Sequence, residues 1–242
     1  MGERGLCYSG HMDASSEDLW PVIHAERRAL LEDVRQLAPA QWTVMSLCAG
    51  RTVRDVLAHL AATARLTQAD FVRKAVKARF NFQRMTDRDI HEFTRGRPSA
   101  TVKAFEMLVD SVEHPRGPDA TWLGETVVHA EDIRRPLGIV HEYPMAALTT
   151  CADFYRRSNF LIGGKKRVAG LKLTATDTDW SAGEGPEVRG PMLDLLLVIT
   201  GRPAGLAALS GDGVEIVTER MPSQEVAGDR PHRRGMSKGI QV

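Results

Sequence analysis

No run of about 18 apolar residues occurs in the 242-residue chain, so no membrane-spanning helix is expected. The longest apolar stretch of its second half, Leu193 to Ile199, contains Asp194 and is far too short. The N-terminus lacks the apolar core of a signal peptide, so export by that route is not expected. Cysteine is scarce: Cys7, Cys48 and Cys151 stand apart, with no CxxC spacing. That odd set argues against a disulfide framework or a cysteine zinc site and fits a reducing cytoplasm. Net charge is only +1, which gives no global signature of a nucleic-acid or membrane-surface binder. GxxxxGK[ST], GxGxxG and GxSxG are all missing, leaving glycine-based phosphate cradles and nucleophile-elbow serine chemistry without support. There is no internal repeat.

What remains is an ordinary globular composition, 43% hydrophobic and 26% charged, with length for one large domain or two modest ones. Residues 1–13 read as an expression-tag remnant or disordered leader. A first helix is expected over Ser16–Leu37, with Leu19, Val22, Ile23, Leu30, Leu31, Val34 and Leu37 at helical spacing. Thr52, with Asp55 at N3, caps a second helix from Val53 to about Arg79. A charged segment follows, its basic cluster (Arg73, Lys74, Lys77, Arg79, Arg84) reading as a solvated face or an anion-attracting one. A third helix spans about Ser99–Glu113 and a fourth Asp119–Gly138, with Asp119 as N-cap. Met145–Leu161 reads as a further helix. Alternation over 171–176 predicts a strand, Gly183–Pro191 a turn-rich loop, Met192–Thr200 a short apolar helix and Val214–Thr218 a last strand. The fold expected is mainly α: a helical bundle over 14–162, a small α+β domain over 163–221 and a disordered tail over 222–242.

The fourth helix carries the most chemistry. Glu125 and His129 are four residues apart, so they project from one face and can reach one divalent metal ion. A solvated face or a hydrogen-bonded core histidine is the blander reading of such a pair. His59 sits at the edge of the apolar stripe of the second helix, either as a core residue or as a ligand from a facing helix. Together the three make a His2Glu set, a catalytic zinc shell with an open fourth position. Asp132 suits the orienting of a histidine through its other ring nitrogen, or equally an ion pair with Arg135 at i+3. His24 reads as structural.

Three segments together resemble one family. GRTVRDVLAHL (Gly50–Leu60) resembles the start of the second helix in the DinB-like, mycothiol-dependent maleylpyruvate isomerase superfamily. GETVVHAEDIRRPLG (Gly124–Gly138) resembles its ExxxHxxD helix, in particular that of an actinobacterial branch described as metal-binding proteins. RGPMLDLLLVITGR (Arg189–Arg202) is similar to the small C-terminal domain of the mycothiol-dependent members. The resemblance covers about residues 16–220. It implies a DinB-like up-down four-helix bundle, zinc or another divalent metal on His59, Glu125 and His129, and mycothiol as cosubstrate. The function implied is a zinc-dependent thiol transferase or isomerase that activates mycothiol as a metal-bound thiolate for addition to a small electrophile. Arg202, in ITGR, is implied to grip a substrate or mycothiol group, capping of the short helix being the other reading. Where many relatives carry tryptophan this chain has Arg51. Two other readings stand beside it: a non-catalytic metal-binding or regulatory protein, and a zinc hydrolase with Glu131 or Asp132 as base. No nucleic-acid or membrane partner is expected, and both monomer and homodimer fit.

Overall fold

The computed structural model describes residues 18–159 and 162–222. The leader, Ser16, Leu161 and nearly all of the expected tail lie outside the described residues. Ten α-helices and three strands appear among them. The first helix, α1 (Trp20–Arg35), starts with Pro21 in its first turn, where the missing N–H costs nothing. The second, α2 (Val53–Ala64), opens on the expected capping box: Thr52 accepts from the Asp55 amide, and the Asp55 carboxylate accepts from the Thr52 amide. It ends sooner than the sequence suggested. Thr67 makes a fresh N-cap and starts α3 (Gln68–Lys77) after a turn at Arg65–Leu66.

The charged segment beyond is also helical, as α4 (Phe82–Phe93), capped by Asn81. Ile90 and Phe93 point inward, Phe82 stays exposed, and α4 lies against α2. Next come α5 (Pro98–Glu106), shorter than expected, and α6 (Ala120–Arg134), closed by a 3-10 turn and Gly138 in the left-handed region. Asp119 does not cap α6: its backbone is already helical and its side chain makes no capping bond.

Helices α1, α2, α5 and α6 close a four-helix bundle in which α1 and α2 each touch both α5 and α6. Helix α2 runs antiparallel to α6: the Leu47 amide just before it bonds the Asp132 carbonyl late in α6, while His59 faces Glu125 early in α6. The bundle core holds Leu30, Val34, Val53, Leu57, Phe105 and Ile133.

A second core forms on the other side of α6. Helix α7 (Met145–Tyr155) stops well before the expected Leu161, and the one-turn α8 (Gly164–Arg167) leads into the sheet. The strands are β1 (Lys172–Ala175), β2 (Ser181–Ala182) and β3 (Glu187–Gly190). Central β1 pairs antiparallel with β2, with Leu173 opposite Ala182, and parallel with β3, with Leu173 opposite Val188. Residues 187–190 are thus a strand and not part of a turn; their single parallel ladder leaves no alternation long enough to read.

The apolar α9 (Met192–Ile199) lies against this sheet and against α7. The last expected strand is instead α10 (Gly213–Glu219), because β3 beyond β1 is met only by a bridge from Arg189 to Ser210 and offers no ladder to Val214–Thr218. Leu123, Val127, Leu148, Leu173, Val188 and Leu196 share this second core. Helix α6 is therefore buried on both flanks, which is why its apolar residues trace no single stripe.

A buried polar chain fixes α6 against its neighbours. Arg134, fully buried, donates from Nε to Asp33 of α1 at 2.7 Å and from Nη1 to Tyr143 Oη at 2.8 Å. The Tyr143 hydroxyl donates to Glu131 Oε1 at 2.9 Å. Removing one partner of such a buried network costs far more than breaking a surface pair. Arg134→Met is expected to lower stability by about 3 kcal/mol in urea unfolding. Arg28→Met, which breaks only an exposed pair with Asp110, is expected to cost less than about 1 kcal/mol. Equal losses would show that the buried chain does not tie α1 to α6.

Candidate metal centre

Glu125 and His129 lie one turn apart on α6, and α2 brings His59 against them. His59 Nε2 is 3.7 Å from Glu125 Oε1. The two imidazole rings meet edge-on, with centroids 5.0 Å apart and planes at 88°. A gap of 3.7 Å is too long for a hydrogen bond, so the pair is not held by one. Two donors sharing one zinc ion at about 2.0–2.1 Å in tetrahedral geometry stand about 3.3 Å apart. Among the described residues no group of three or more His, Cys, Asp or Glu is drawn together tightly enough to hold an ion as it stands. The donor chemistry nonetheless fits one. Glu125 Oε1 is buried and has no hydrogen-bonding partner among the described residues. Burial pushes His59 down to about 4, with Glu125 opposing and His129 and Arg51 adding to the effect, so its ring is neutral and keeps a lone pair.

His129 is anchored from behind. Its Nδ1 lies 2.8 Å from Asp132 Oδ2. Asp132 is completely buried and receives both edges of the Arg202 guanidinium, Nε to Oδ1 at 3.0 Å and Nη2 to Oδ2 at 2.8 Å. Burial alone would raise the Asp132 pKa; the Arg202 charge and the hydrogen bonds from His129 and Arg202 outweigh it and hold the group at about 2. An ionised Asp132 requires the proton on His129 Nδ1, which leaves Nε2 as the free donor. Arg135 does not pair with Asp132. It bonds Glu131 at 2.9 Å and Asp194 on α9 at 2.8 Å.

Arg202 reaches Asp132 because of how α9 ends. Gly201 sits at φ +85°, with its amide on the Val198 carbonyl and the Arg202 amide on the Leu197 carbonyl, a Schellman closure that favours glycine. Arg202 Nη1 also donates to the Thr200 carbonyl at 2.8 Å. Both sequence readings of Arg202 thus meet a third role, a clamp on Asp132. The same bonds bear on the hydrolytic bases. Glu131 is locked between Tyr143 and Arg135, and an Asp132 held at about 2 is a poor base near neutrality.

Beside the clamp lies a pocket of about 290 Å³, lined by Leu47, Cys48, Arg167, Thr200, Arg202 and Pro203 among others. Burial raises the Cys48 thiol, with Asp132 adding and Arg202 and Arg51 opposing. Burial also pushes Cys151 up to about 12, so it stays a neutral core thiol. A larger hollow of about 480 Å³ follows one exposed face of α4, lined by Arg84, Asp87, Arg88, His91, Glu92 and Arg95, and includes no donor of the centre. Arg51 is turned away to pair with Asp87 of α4. Three neighbours of the centre carried no local sequence signal: Cys48, Arg27 on α1, and Tyr155, whose ring occupies the space a Cβ on Gly124 would need. All three arrive through tertiary contacts.

The bundle and its small α+β continuation define a mainly helical protein. Residues 23–134 match the family model described as the mycothiol maleylpyruvate isomerase N-terminal domain. Crystal structures of the mycothiol-dependent maleylpyruvate isomerase and of its histidine-to-alanine mutant share the fold, with TM-scores of 0.57 and 0.58. Each is 17% identical and covers 81% of this chain and 92% of that one. No curated protein matches the chain.

The folded pKa of Asp132 lies below its unfolded value, so its stabilisation is complete above about pH 4 and fades as pH falls toward 2. Asp132→Asn is therefore expected to lose about 2 kcal/mol at pH 7. The gap to wild type should narrow below pH 4 in denaturant melts. A difference that stays constant from pH 7 to 2.5 would contradict an ionised, clamped Asp132.

Proposed function

We propose that the chain is a mycothiol-dependent isomerase or S-transferase whose centre is a zinc site, or one for another divalent ion, on His59, Glu125 and His129. The observation that carries this reading is the adjacency of the three donors together with the Asp132–Arg202 support behind His129. The match of residues 23–134 to the mycothiol maleylpyruvate isomerase N-terminal model supports mycothiol as the thiol. When bound, a divalent cation there would supply a Lewis acid that lowers the pKa of a thiol.

The chain's own groups have separable tasks. His59 is kept neutral by burial and offers a lone pair. His129, its tautomer set by Asp132, offers Nε2. Glu125 contributes the negative charge that attracts a cation into a half-buried place. Asp132 and Arg202 neutralise one another, so the imidazole is oriented without adding net charge to the centre. A thiolate delivered there adds to an unsaturated electrophile. Expulsion after rotation about the new single bond gives isomerisation, and protonation of the adduct gives transfer. The scarce cysteines, with Cys48 and Cys151 free, suit a reducing cytoplasm, where a low-molecular-weight thiol is at hand. Among the described residues no helix is long and apolar enough to cross a membrane.

Metal analysis and a conjugation assay test this together. His59→Ala and His129→Ala are each expected to strip zinc, and Asp132→Ala to weaken zinc affinity about 10–100-fold. Full zinc retention in both histidine variants would sink the centre. Zinc-loaded protein should consume a small electrophile only when mycothiol is present. Zinc binding without any response to mycothiol would favour a non-catalytic metal-binding protein, and turnover without a thiol would favour a hydrolase.

A further inference from the structure

The hairpin of α3 and α4 carries a surface that the metal centre leaves without a task. Of the ten residues of α3 only Ala75 is buried, and the helix lies against α4. Four of the eight large hydrophobic side chains exposed among the described residues fall between Val72 and Phe82. Val72 and Val76 stand four apart and so share one face of α3; they are 50% and 59% exposed. Phe80, 69% exposed, stands beyond the end of the helix.

The turn that presents Phe80 is closed without glycine. Arg79 and Phe80 both take left-handed backbone, at φ +55° and +58°, a conformation that is costly for a residue with a side chain. The Arg79 amide donates to the Val76 carbonyl and the Phe80 amide to the Ala75 carbonyl. Phe71 stacks on Phe82 across the turn, with centroids 6.2 Å apart and planes at 16°. A braced turn thus holds an aromatic ring out in water.

The whole-chain charge of +1 conceals a local excess here. Residues 68–95 hold seven Lys and Arg against four Asp and Glu. All four acids are already paired: Asp70 with Arg73, Asp87 with Arg51, Asp89 with Lys74 and Glu92 with Arg65. Lys77, Arg79 and Arg84 are exposed and have no carboxylate within ion-pair distance among the described residues. Lys77 adjoins Val76, Arg79 adjoins Phe80, and Arg84 lies in the first turn of α4, so these cations gather at the apolar tip.

Charge decides what such a surface meets. A second copy docked on the same face by twofold symmetry would set one group of cations against another. The chain beyond residue 222 is itself basic, with Arg230, Arg233, Arg234 and Lys238 against Glu225 and Asp229, so like charge disfavours it as a cover. A nucleic acid would answer the cations and leave the valines in water. A lipid layer, anionic at its surface and apolar beneath, answers both.

We propose that the tip of the α3–α4 hairpin docks on an anionic lipid surface, with Val72, Val76 and Phe80 entering the boundary between headgroups and acyl chains and Lys77, Arg79 and Arg84 meeting the lipid phosphates. The docking shares no residue with the metal centre, so either reading can fail alone.

Co-sedimentation of the full chain tests this, with vesicles of phosphatidylglycerol and phosphatidylcholine in equal parts and with vesicles of phosphatidylcholine alone. Binding is expected on the anionic vesicles only, weakening as salt is raised. Phe80→Asn, a residue that suits left-handed backbone, should weaken it about 10-fold or more. Lys77→Gln and Arg79→Gln should each weaken it about 5-fold. Val112→Asn, at an exposed apolar residue beyond α5, should bind as wild type, and so should His59→Ala. Absence of binding to the anionic vesicles would overturn the proposal, as would equal binding to phosphatidylcholine alone or wild-type binding by folded Phe80→Asn. Binding that appears only once residues 1–13 are removed would make that segment the occupant of the face and overturn it too. A dimer in light scattering that Phe80→Asn breaks, without vesicle binding, would give the face to a second copy and have the same effect.

Discussion

The fully buried carboxylate of Asp132 is the constraint on which the site and the tertiary arrangement both depend. It faces His129 on one side and the Arg202 guanidinium on the other. A buried ion pair of this kind is weak evidence of net stability, because desolvating both charges costs about as much as their attraction returns. Its value lies in specificity. Arg202 arrives from the turn after α9, so the pair joins the C-terminal α+β segment to the bundle at one atom-level contact. The same carboxylate fixes the tautomer of His129. Assembly of the second core and orientation of a candidate ligand are thereby linked.

Helix α6 makes this linkage possible. Most helices of the bundle bury one face. Helix α6 buries two, with Ile133 and Ala130 in the bundle core and Leu123 and Val127 in the second. Between these flanks a narrow strip carries Trp122, Glu125, His129 and Asp132. Its side chains are partly or wholly shielded yet meet polar groups from α1, α2 and the α9 turn. Shielding keeps His59 neutral, and the ionised Asp132 is held by a matched cation. A half-buried strip with both conditions is suited to gathering a cation and a thiol.

Much of this was legible in the sequence, for reasons that differ by element. The Thr52–Asp55 capping box and the Pro136–Gly138 stop are local chemistry, and both elements lie where that chemistry put them. The Glu125–His129 spacing was readable because one helix fixes it. The pairing with His59 needed a facing helix, which the short connections of a bundle supply. The errors came where tertiary contact outweighs pattern. Thr67 interrupts what apolar spacing alone reads as one long helix. Charge conceals α4, whose inward side is thin. Val214–Thr218 has the β-branched residues of a strand, yet no ladder is available and it folds as a helix. Arg27 shows no local signal, since only tertiary contacts bring it to Ser111 and within the field of Glu125.

The central claim is that His59, Glu125 and His129 gather one divalent ion with a position open to a thiol. X-ray absorption of the zinc-loaded protein with mycothiol addresses it most directly. The account predicts a four-coordinate ion with nitrogen and oxygen donors at about 2.0–2.1 Å and a single sulfur at about 2.3 Å. The sulfur should appear only when mycothiol is added, since no cysteine among the described residues joins the three donors. A shell of nitrogen and oxygen alone in the presence of saturating mycothiol would contradict it.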